Sequence, residues 1–126
     1  VSFASVVAYH LKKPFFYVRK GVKLHGRQRR IEGILMPGDR VLLLDDLVTT
    51  GKSLVNAAKA IRAEGGVVKD AVVLLDREEG GVENLEKEGI KLHALMKASE
   101  AANKLCEIGA IDQEQFKTIL KQIKRR

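Results

Sequence analysis

Apolar residues along the chain recur at spacings that alternate between those of strands and those of helices. Residues 41–44 and 71–75 are continuous apolar runs, which predict strands of a parallel sheet covered on both faces. Between them, apolar residues recur at helical spacing over residues 53–63. The mostly apolar residues 1–9 predict an opening helix that ends before Pro14.

The rest of the chain continues this alternation. Further strands are predicted at residues 15–18, 31–35 and 90–95, and further helices at residues 82–88, 99–108 and 113–123. Ser53 is predicted to be the N-cap of the helix over residues 53–63, and Asp112 the N-cap of the last helix. The order predicts one α/β domain over residues 1–126, with a mainly parallel, twisted sheet flanked by helices.

Polar residues follow both of the apolar runs. Asp45 and Asp46 come directly after the first run, and Asp76 and Arg77 after the second. Ligands of open parallel sheets bind beyond the carboxyl ends of the strands. These four residues therefore mark the predicted site.

Two segments supply all of the excess positive charge of the chain. The net charge is +7, from 23 Lys and Arg against 16 Asp and Glu. Residues 12–30 contain eight basic residues and residues 117–126 contain five, with no acidic residue in either segment. The second segment fits a solvated helix end. The first is interrupted by Gly21 and Gly26, lacks a regular period, and predicts a mobile loop that meets an anionic ligand.

Cysteine content and hydropathy limit the cellular environments that suit this chain. Cys106 is the single cysteine, so an internal disulfide and a cysteine-based zinc site are excluded and a reducing, intracellular environment is favoured. No apolar run reaches the ~20 residues of a membrane-spanning helix. Because Val1 already lies in an apolar helical pattern, we expect the natural chain to begin earlier.

The most specific motif covers residues 41–53, an apolar strand followed by two carboxylates and a Thr/Gly/Ser turn that opens a helix. The N–H groups, hydroxyls and helix dipole of such a turn favour a phosphate. The preceding carboxylates suit a vicinal diol, so a sugar phosphate fits both parts. Gly51-Lys52-Ser53 resembles the end of a P-loop, but Asp46 stands where that motif needs glycine, and the P-loop interpretation is rejected.

Three segments together resemble a known enzyme family. Residues 41–53 resemble the phosphoribosyl-pyrophosphate (PRPP) motif of type I phosphoribosyltransferases. Residues 19–26, Arg-Lys-Gly-Val-Lys-Leu-His-Gly, are similar to the catalytic loop of orotate phosphoribosyltransferases, and residues 75–81 to the segment whose arginine helps hold orotate. From Ile90 onward, the chain resembles the corresponding domain of bifunctional UMP synthases. The resemblance implies the Rossmann-like fold of the type I family.

Residue roles follow from the resemblance by position. It implies PRPP contacts for Arg19, Lys20, Lys23, His25, Asp45, Asp46, Leu47, Val48, Thr49, Thr50, Gly51, Lys52 and Ser53. The implied catalytic groups are Lys23, Lys20, His25 and Asp46, with Lys23 foremost. Asp45 and Asp46 would hold the ribose hydroxyls, and residues 49–53 would surround the 5′-phosphate. Thr49 and Arg77 would bind orotate, and Arg77 would pair with the carboxylate of orotate.

The implied reaction transfers phosphoribosyl from PRPP to orotate, giving orotidine 5′-monophosphate and pyrophosphate. Mg²⁺ would arrive with PRPP, near Asp45 and Asp46, with no direct protein metal site. A cytoplasmic homodimer is implied, in which the loop over residues 19–30 reaches the neighbouring site. The sequence departs from the family at Lys52, where a second glycine is common, and lacks the family's N-terminal base-covering part.

Two other functions are considered. A phosphoribosyltransferase for a purine or another base would share the PRPP motif, but the loop pattern and the Arg77 segment argue against it. A non-catalytic, nucleotide-responsive regulator would use the basic segments to bind nucleic acid. The loop over residues 19–30 has no aromatic residues between its charges for base stacking, so nucleic acid is disfavoured as a partner.

Overall fold

The structure, a computed structural model, describes residues 3–18 and 31–124. Its helices are α1 (Phe3–Leu11), α2 (Lys52–Ala63), α3 (Gly81–Glu86), α4 (Ala98–Glu107) and α5 (Gln113–Lys124). Its strands are β1 (Tyr17–Val18), β2 (Ile31–Glu32), β3 (Arg40–Val48), β4 (Val67–Asp76) and β5 (Lys91–Lys97). The predicted α/β class is confirmed. No helix of this part of the chain is both long and apolar enough to span a membrane.

The main sheet has the order β3-β4-β5, and both neighbouring pairs are parallel. Helix α2 connects β3 to β4, and α3 connects β4 to β5, as parallel neighbours require. β1 and β2 form a separate antiparallel pair, with Val18 opposite Ile31. The carboxyl ends of β3 and β4 lie side by side, because Val48 is in register with Asp76.

The core lies between one face of the sheet and the helices α2 and α3. The buried cluster joins sheet residues to residues of the two helices: Leu43, Ala71, Val73, Leu54, Ala58, Ile61 and Leu85. Leu54, Ala58 and Ile61 share one face of α2, as their spacing predicts. Burial of this face fixes the direction in which α2 leaves the end of β3.

The prediction that both apolar runs are covered on both faces is wrong for the described residues. On the face away from α2, Leu42 is 49% exposed and Leu74 is 39% exposed. The helices that contribute buried residues to the core cluster, α2 and α3, pack on the same face of the sheet as Leu43 and Val73. The face away from α2 is therefore covered only in part, since Leu44 and Val72 on that face are half-buried.

Two local predictions also differ from the structure. β3 does not end at Leu44 but continues through both carboxylates to Val48, because its parallel pairing with β4 continues. Ser53 is not the N-cap of α2, because Gly51 occupies that position and Ser53 lies inside the helix. Asp112 is confirmed as an N-cap, since its carboxylate accepts the Gln115 N–H at 2.7 Å.

Gly66 is packed too closely for any side chain. A Cβ added there would lie 2.5 Å from Ile61 Cγ2 and 3.2 Å from the Ile61 carbonyl oxygen. We expect Gly66→Ala to lower the free energy of unfolding by about 1–3 kcal/mol through overpacking, measured by denaturant titration. Lys59→Ala is the control, because Lys59 is exposed on α2 and its replacement leaves the core packing unchanged. Equal losses in the two variants would contradict the packing argument.

Candidate active site

The turn between β3 and α2 consists of Thr49, Thr50 and Gly51, and α2 begins at Lys52. Gly51 has φ +86°, a left-handed conformation that favours glycine, and it is buried against Gly81 and Leu85. The N-cap Gly51 has no side chain to cap α2, and the Lys52 N–H donates only a long hydrogen bond to Thr50 Oγ1 at 3.4 Å. The first turn of an α-helix has N–H groups without partners inside the helix, so this end can donate hydrogen bonds to an anion.

Helix α3 supports this turn from behind. The side-chain amide of Asn84 donates a hydrogen bond to the carbonyl oxygen of Thr50 at 2.7 Å. A Cβ added at Gly81 would lie 3.0 Å from Val48 Cγ2 and 3.1 Å from the Thr49 carbonyl oxygen. Only a residue without a side chain allows α3 to approach the turn this closely.

The two neighbouring carboxylates lie inside β3. Asp46 is exposed and Asp45 is half-buried, and the Asp46 N–H donates to Asp45 Oδ1 at 2.8 Å. Successive side chains of a strand point to opposite faces of the sheet. The side chains of Asp45 and Asp46 therefore leave β3 towards opposite faces of the sheet. The sequence predicts both of them after the end of the strand, whereas they lie inside it.

The second predicted segment begins where β4 ends. Asp76 is 2% exposed, and its Oδ1 accepts the N–H of Glu78 at 2.8 Å. The Arg77 N–H donates to the carbonyl oxygen of Val48 at 3.0 Å, which joins this segment to the end of β3. The Arg77 side chain is 47% exposed, and one of its nitrogens lies 3.7 Å from Glu79 Oε1. The guanidinium is thus available to a ligand beside the β3–α2 turn.

The other residues predicted to contact PRPP differ in their exposure to solvent. Leu47 is partly exposed, Val48 is buried, and Lys52 and Ser53 are exposed in the first turn of α2. Arg19, Lys20, Lys23 and His25 lie outside the described residues. The residues on either side of that segment, Val18 and Ile31, are paired in β1 and β2.

Sequence reasoning missed Glu78, Ser99 and Asn84. The Glu78 carboxylate accepts hydrogen bonds from both the N–H and the hydroxyl of Ser99, at the start of α4. Burial raises the pKa of Glu78, but the hydrogen bonds from Ser99 and the charge of Lys97 outweigh it, so the pKa lies below the ordinary 4.5. Nothing in the residue pattern signals these contacts, since their partners are distant in sequence.

Asn84 offers a test of the support that α3 gives to the turn. We expect Asn84→Ala to raise the Kd of the turn for inorganic phosphate about 3- to 10-fold, because loss of a hydrogen bond of about 1 kcal/mol lets the Thr50 peptide reorient. Calorimetric titration with phosphate measures this effect. Asn103→Ala, at an exposed position of α4, is the control. Indistinguishable Kd values in the two variants would contradict the supporting role.

Comparison with known proteins shows the family. Residues 1–100 match the family model described as "Phosphoribosyl transferase domain". The orotate phosphoribosyltransferase of Aquifex aeolicus is 51% identical over 79% of this chain and 54% of its own length. That of Pyrobaculum islandicum is 40% identical over 95% of this chain and 62% of its own length.

A solved structure extends the comparison to the end of the chain. The UMP synthase of Leishmania donovani superimposes with a TM-score of 0.84 at 30% identity, over 98% of this chain and 26% of that one. The chain spans less than two thirds of each of these relatives. The expected likeness to orotate phosphoribosyltransferases is confirmed, and the match over residues 1–100 shows that the chain belongs to the phosphoribosyl transferase domain family.

Proposed function

We propose that this chain carries the PRPP-binding and base-binding residues of an orotate phosphoribosyltransferase, which forms orotidine 5′-monophosphate and pyrophosphate. One observation carries the proposal. The Arg77 segment is hydrogen-bonded to the end of β3, 3.0 Å from Arg77 N to Val48 O, directly before the phosphate-type turn. A group that suits the orotate carboxylate thus lies beside a turn that suits the ribose 5′-phosphate.

The β3–α2 turn would hold the 5′-phosphate. Backbone N–H groups at the start of α2 donate to its oxygens, and the hydroxyls of Thr49, Thr50 and Ser53 add further donors. Asp45 and Asp46 accept hydrogen bonds from the ribose hydroxyls at the end of β3. This orientation directs the anomeric carbon towards Arg77 and the base.

Bond breaking at the anomeric carbon leaves positive charge on the ribose and negative charge on the departing pyrophosphate. Arg19, Lys20, Lys23 and His25 would neutralise the pyrophosphate, and a basic loop over it would exclude the water that hydrolyses PRPP. Asp46, exposed at the end of β3, would stabilise the positive charge of the ribose. A ring nitrogen of orotate then forms the new bond at the same carbon.

The residues present are compatible with Mg²⁺ delivered together with PRPP. Asp45 and Asp46 supply the hard oxygen donors that Mg²⁺ prefers, and the described residues contain no cluster of three or more His, Cys, Asp or Glu that would hold a metal alone. When bound, Mg²⁺ neutralises charge on the pyrophosphate oxygens. PRPP itself would carry the ion, and Asp45 and Asp46 would lie near it.

Orotate would be selected over other bases by its carboxylate. The guanidinium of Arg77 presents two parallel N–H donors that match a carboxylate, and its half-exposed position leaves it accessible. Thr49 lies at the same end of the sheet and would contact the base. Adenine, hypoxanthine and xanthine carry no carboxylate for Arg77.

The proposed function extends to the oligomeric state of the protein. Residues 1–126 would form one domain in a cytoplasmic homodimer, in which residues 19–30 of one copy reach the site of the other. The concentration of basic residues between residues 12 and 30 supports a role for that segment at a highly charged ligand. We expect no nucleic-acid partner.

A comparison of bases tests the proposed function. The chain is incubated with PRPP, Mg²⁺ and one of orotate, adenine, hypoxanthine or xanthine, and nucleotide formation is measured. The same assay uses a chimera in which the chain replaces the matched segment of the Pyrobaculum islandicum relative, of which it covers 62%. We expect orotidine 5′-monophosphate only. Turnover of a purine alone would contradict the proposal. No turnover together with salt-sensitive binding of nucleic acid would favour the regulator.

A further inference from the structure

Glu78 is held in a backbone conformation that non-glycine residues avoid. Its φ is +60°, and among the described non-glycine residues only Lys12 shares a positive φ. A side chain in the left-handed region costs free energy, and such a residue persists when its surroundings impose the conformation. Glu78 directly follows Arg77, so the conformation of Glu78 affects the backbone that carries Arg77.

Hydrogen bonds hold Glu78 from both sides. Its N–H donates to Oδ1 of the buried Asp76 at 2.8 Å. Its carboxylate accepts the Ser99 N–H at 2.9 Å and also the Ser99 hydroxyl. Glu78 therefore links the turn after β4 to the start of α4, in addition to the strand pairing of Asp76 with Lys97.

Arg77 lies between these fixed points. Its own N–H is bonded to Val48, and the next residue is bonded to Asp76 and Ser99, so the backbone on both sides of its Cα is fixed. Its side chain is 47% exposed, and one guanidinium nitrogen lies 3.7 Å from Glu79 Oε1. The backbone of residues 76–78 therefore fixes the point and the direction in which the Arg77 side chain leaves the chain, from which its guanidinium must reach a ligand.

We infer that Glu78 is a positioning residue for substrate recognition, which anchors the turn after β4 to Ser99 of α4 and so aims Arg77 at the carboxylate of orotate. The inference rests on the proposed function. The lowered pKa of Glu78 agrees with it, because the carboxylate stays ionised and remains a strong acceptor at neutral pH.

Glu78→Gly separates this role from that of an ordinary turn residue. Glycine adopts φ +60° without strain, so the backbone conformation is tolerated while the contact with Ser99 is lost. We expect the KM and the Kd for orotate to rise about tenfold, with the KM for PRPP changed less than about twofold. Glu78→Gln keeps one acceptor oxygen for Ser99 and is expected to retain most of the orotate affinity.

The control is Glu100→Ala. The Glu100 carboxylate accepts the Lys97 N–H at 3.4 Å at the same end of α4, without contacting residues 76–79. If Glu78 only caps α4, the two variants will lose stability and change orotate affinity alike, and the inference is wrong. Turnover of orotate with an unchanged KM in Glu78→Gly also overturns it. If neither the unmodified chain nor its chimera with the Pyrobaculum islandicum relative binds or consumes orotate, as measured by calorimetry and turnover, the proposed function fails first and takes this inference with it.

Discussion

Replacement of Lys23 by alanine is expected to lower the rate of orotidine 5′-monophosphate formation by about 10²- to 10³-fold, the effect typical of losing one group that stabilises transition-state charge. Negative charge grows on the departing pyrophosphate, and Lys23 is the group of the basic loop assigned to it. Because this charge is greatest in the transition state, kcat should fall more than the affinity for PRPP. Single-turnover kinetics with saturating PRPP and orotate measures the loss.

Lys13→Ala is the matched control for this variant. Lys13 belongs to the same basic segment but lies before the loop motif, at an exposed position after α1. We expect its rate to stay within about twofold of the unmodified protein, because exposed charges outside a site contribute little. Circular dichroism and thermal unfolding should be unchanged in both variants. An unchanged rate in Lys23→Ala would refute the role assigned to Lys23.

Replacement of Arg77 by alanine is expected to raise the KM for orotate about 10- to 100-fold. A charge-assisted pair between a guanidinium and a carboxylate contributes about 1.5–3 kcal/mol, and alanine removes it entirely. Arg77→Lys should recover only part of the affinity, because an ammonium group lacks the paired donors of the guanidinium. The KM for PRPP should change little, since Arg77 is assigned to the base.

Arg40→Ala controls for the loss of a positive charge. Arg40 is exposed at the start of β3, at the amino end of the strand and so far from the turn. Its replacement should leave both KM values unchanged. If Arg77→Ala raises the KM for PRPP and orotate equally, Arg77 does not select the base. Equal behaviour of Arg77→Ala and Arg77→Lys would exclude paired recognition of the carboxylate.

The order of elements and the adjacency of the ends of β3 and β4 could be predicted because both depend on local patterns. The face of α2 that carries Leu54, Ala58 and Ile61 follows from 3.6-residue spacing. The carboxyl ends of β3 and β4 meet because parallel neighbours in one sheet share an edge. The turn after β3 was predicted from the types and order of its residues.

The features that the sequence did not reveal depend on contacts between distant segments. Asn84 reaches Thr50 across 34 residues, and Glu78 meets Ser99 across 21. The extension of β3 beyond Leu44 depends on its pairing with β4, which favours extended backbone at Asp45 and Asp46 over local preference. Gly51 is the N-cap in place of Ser53 because close packing against Gly81 fixes the start of α2 two residues earlier.

The central claim is that the β3–α2 turn and the Arg77 segment together bind PRPP and orotate for phosphoribosyl transfer. Its most direct test is the formation of orotidine 5′-monophosphate from PRPP and orotate by the chain and by the chimera with the Pyrobaculum islandicum relative. We predict that nucleotide and pyrophosphate form in equal amounts, with both substrates required and the rate lost in Lys23→Ala. Failure of both proteins to form the nucleotide, under conditions in which the unmodified relative forms it, would contradict the claim.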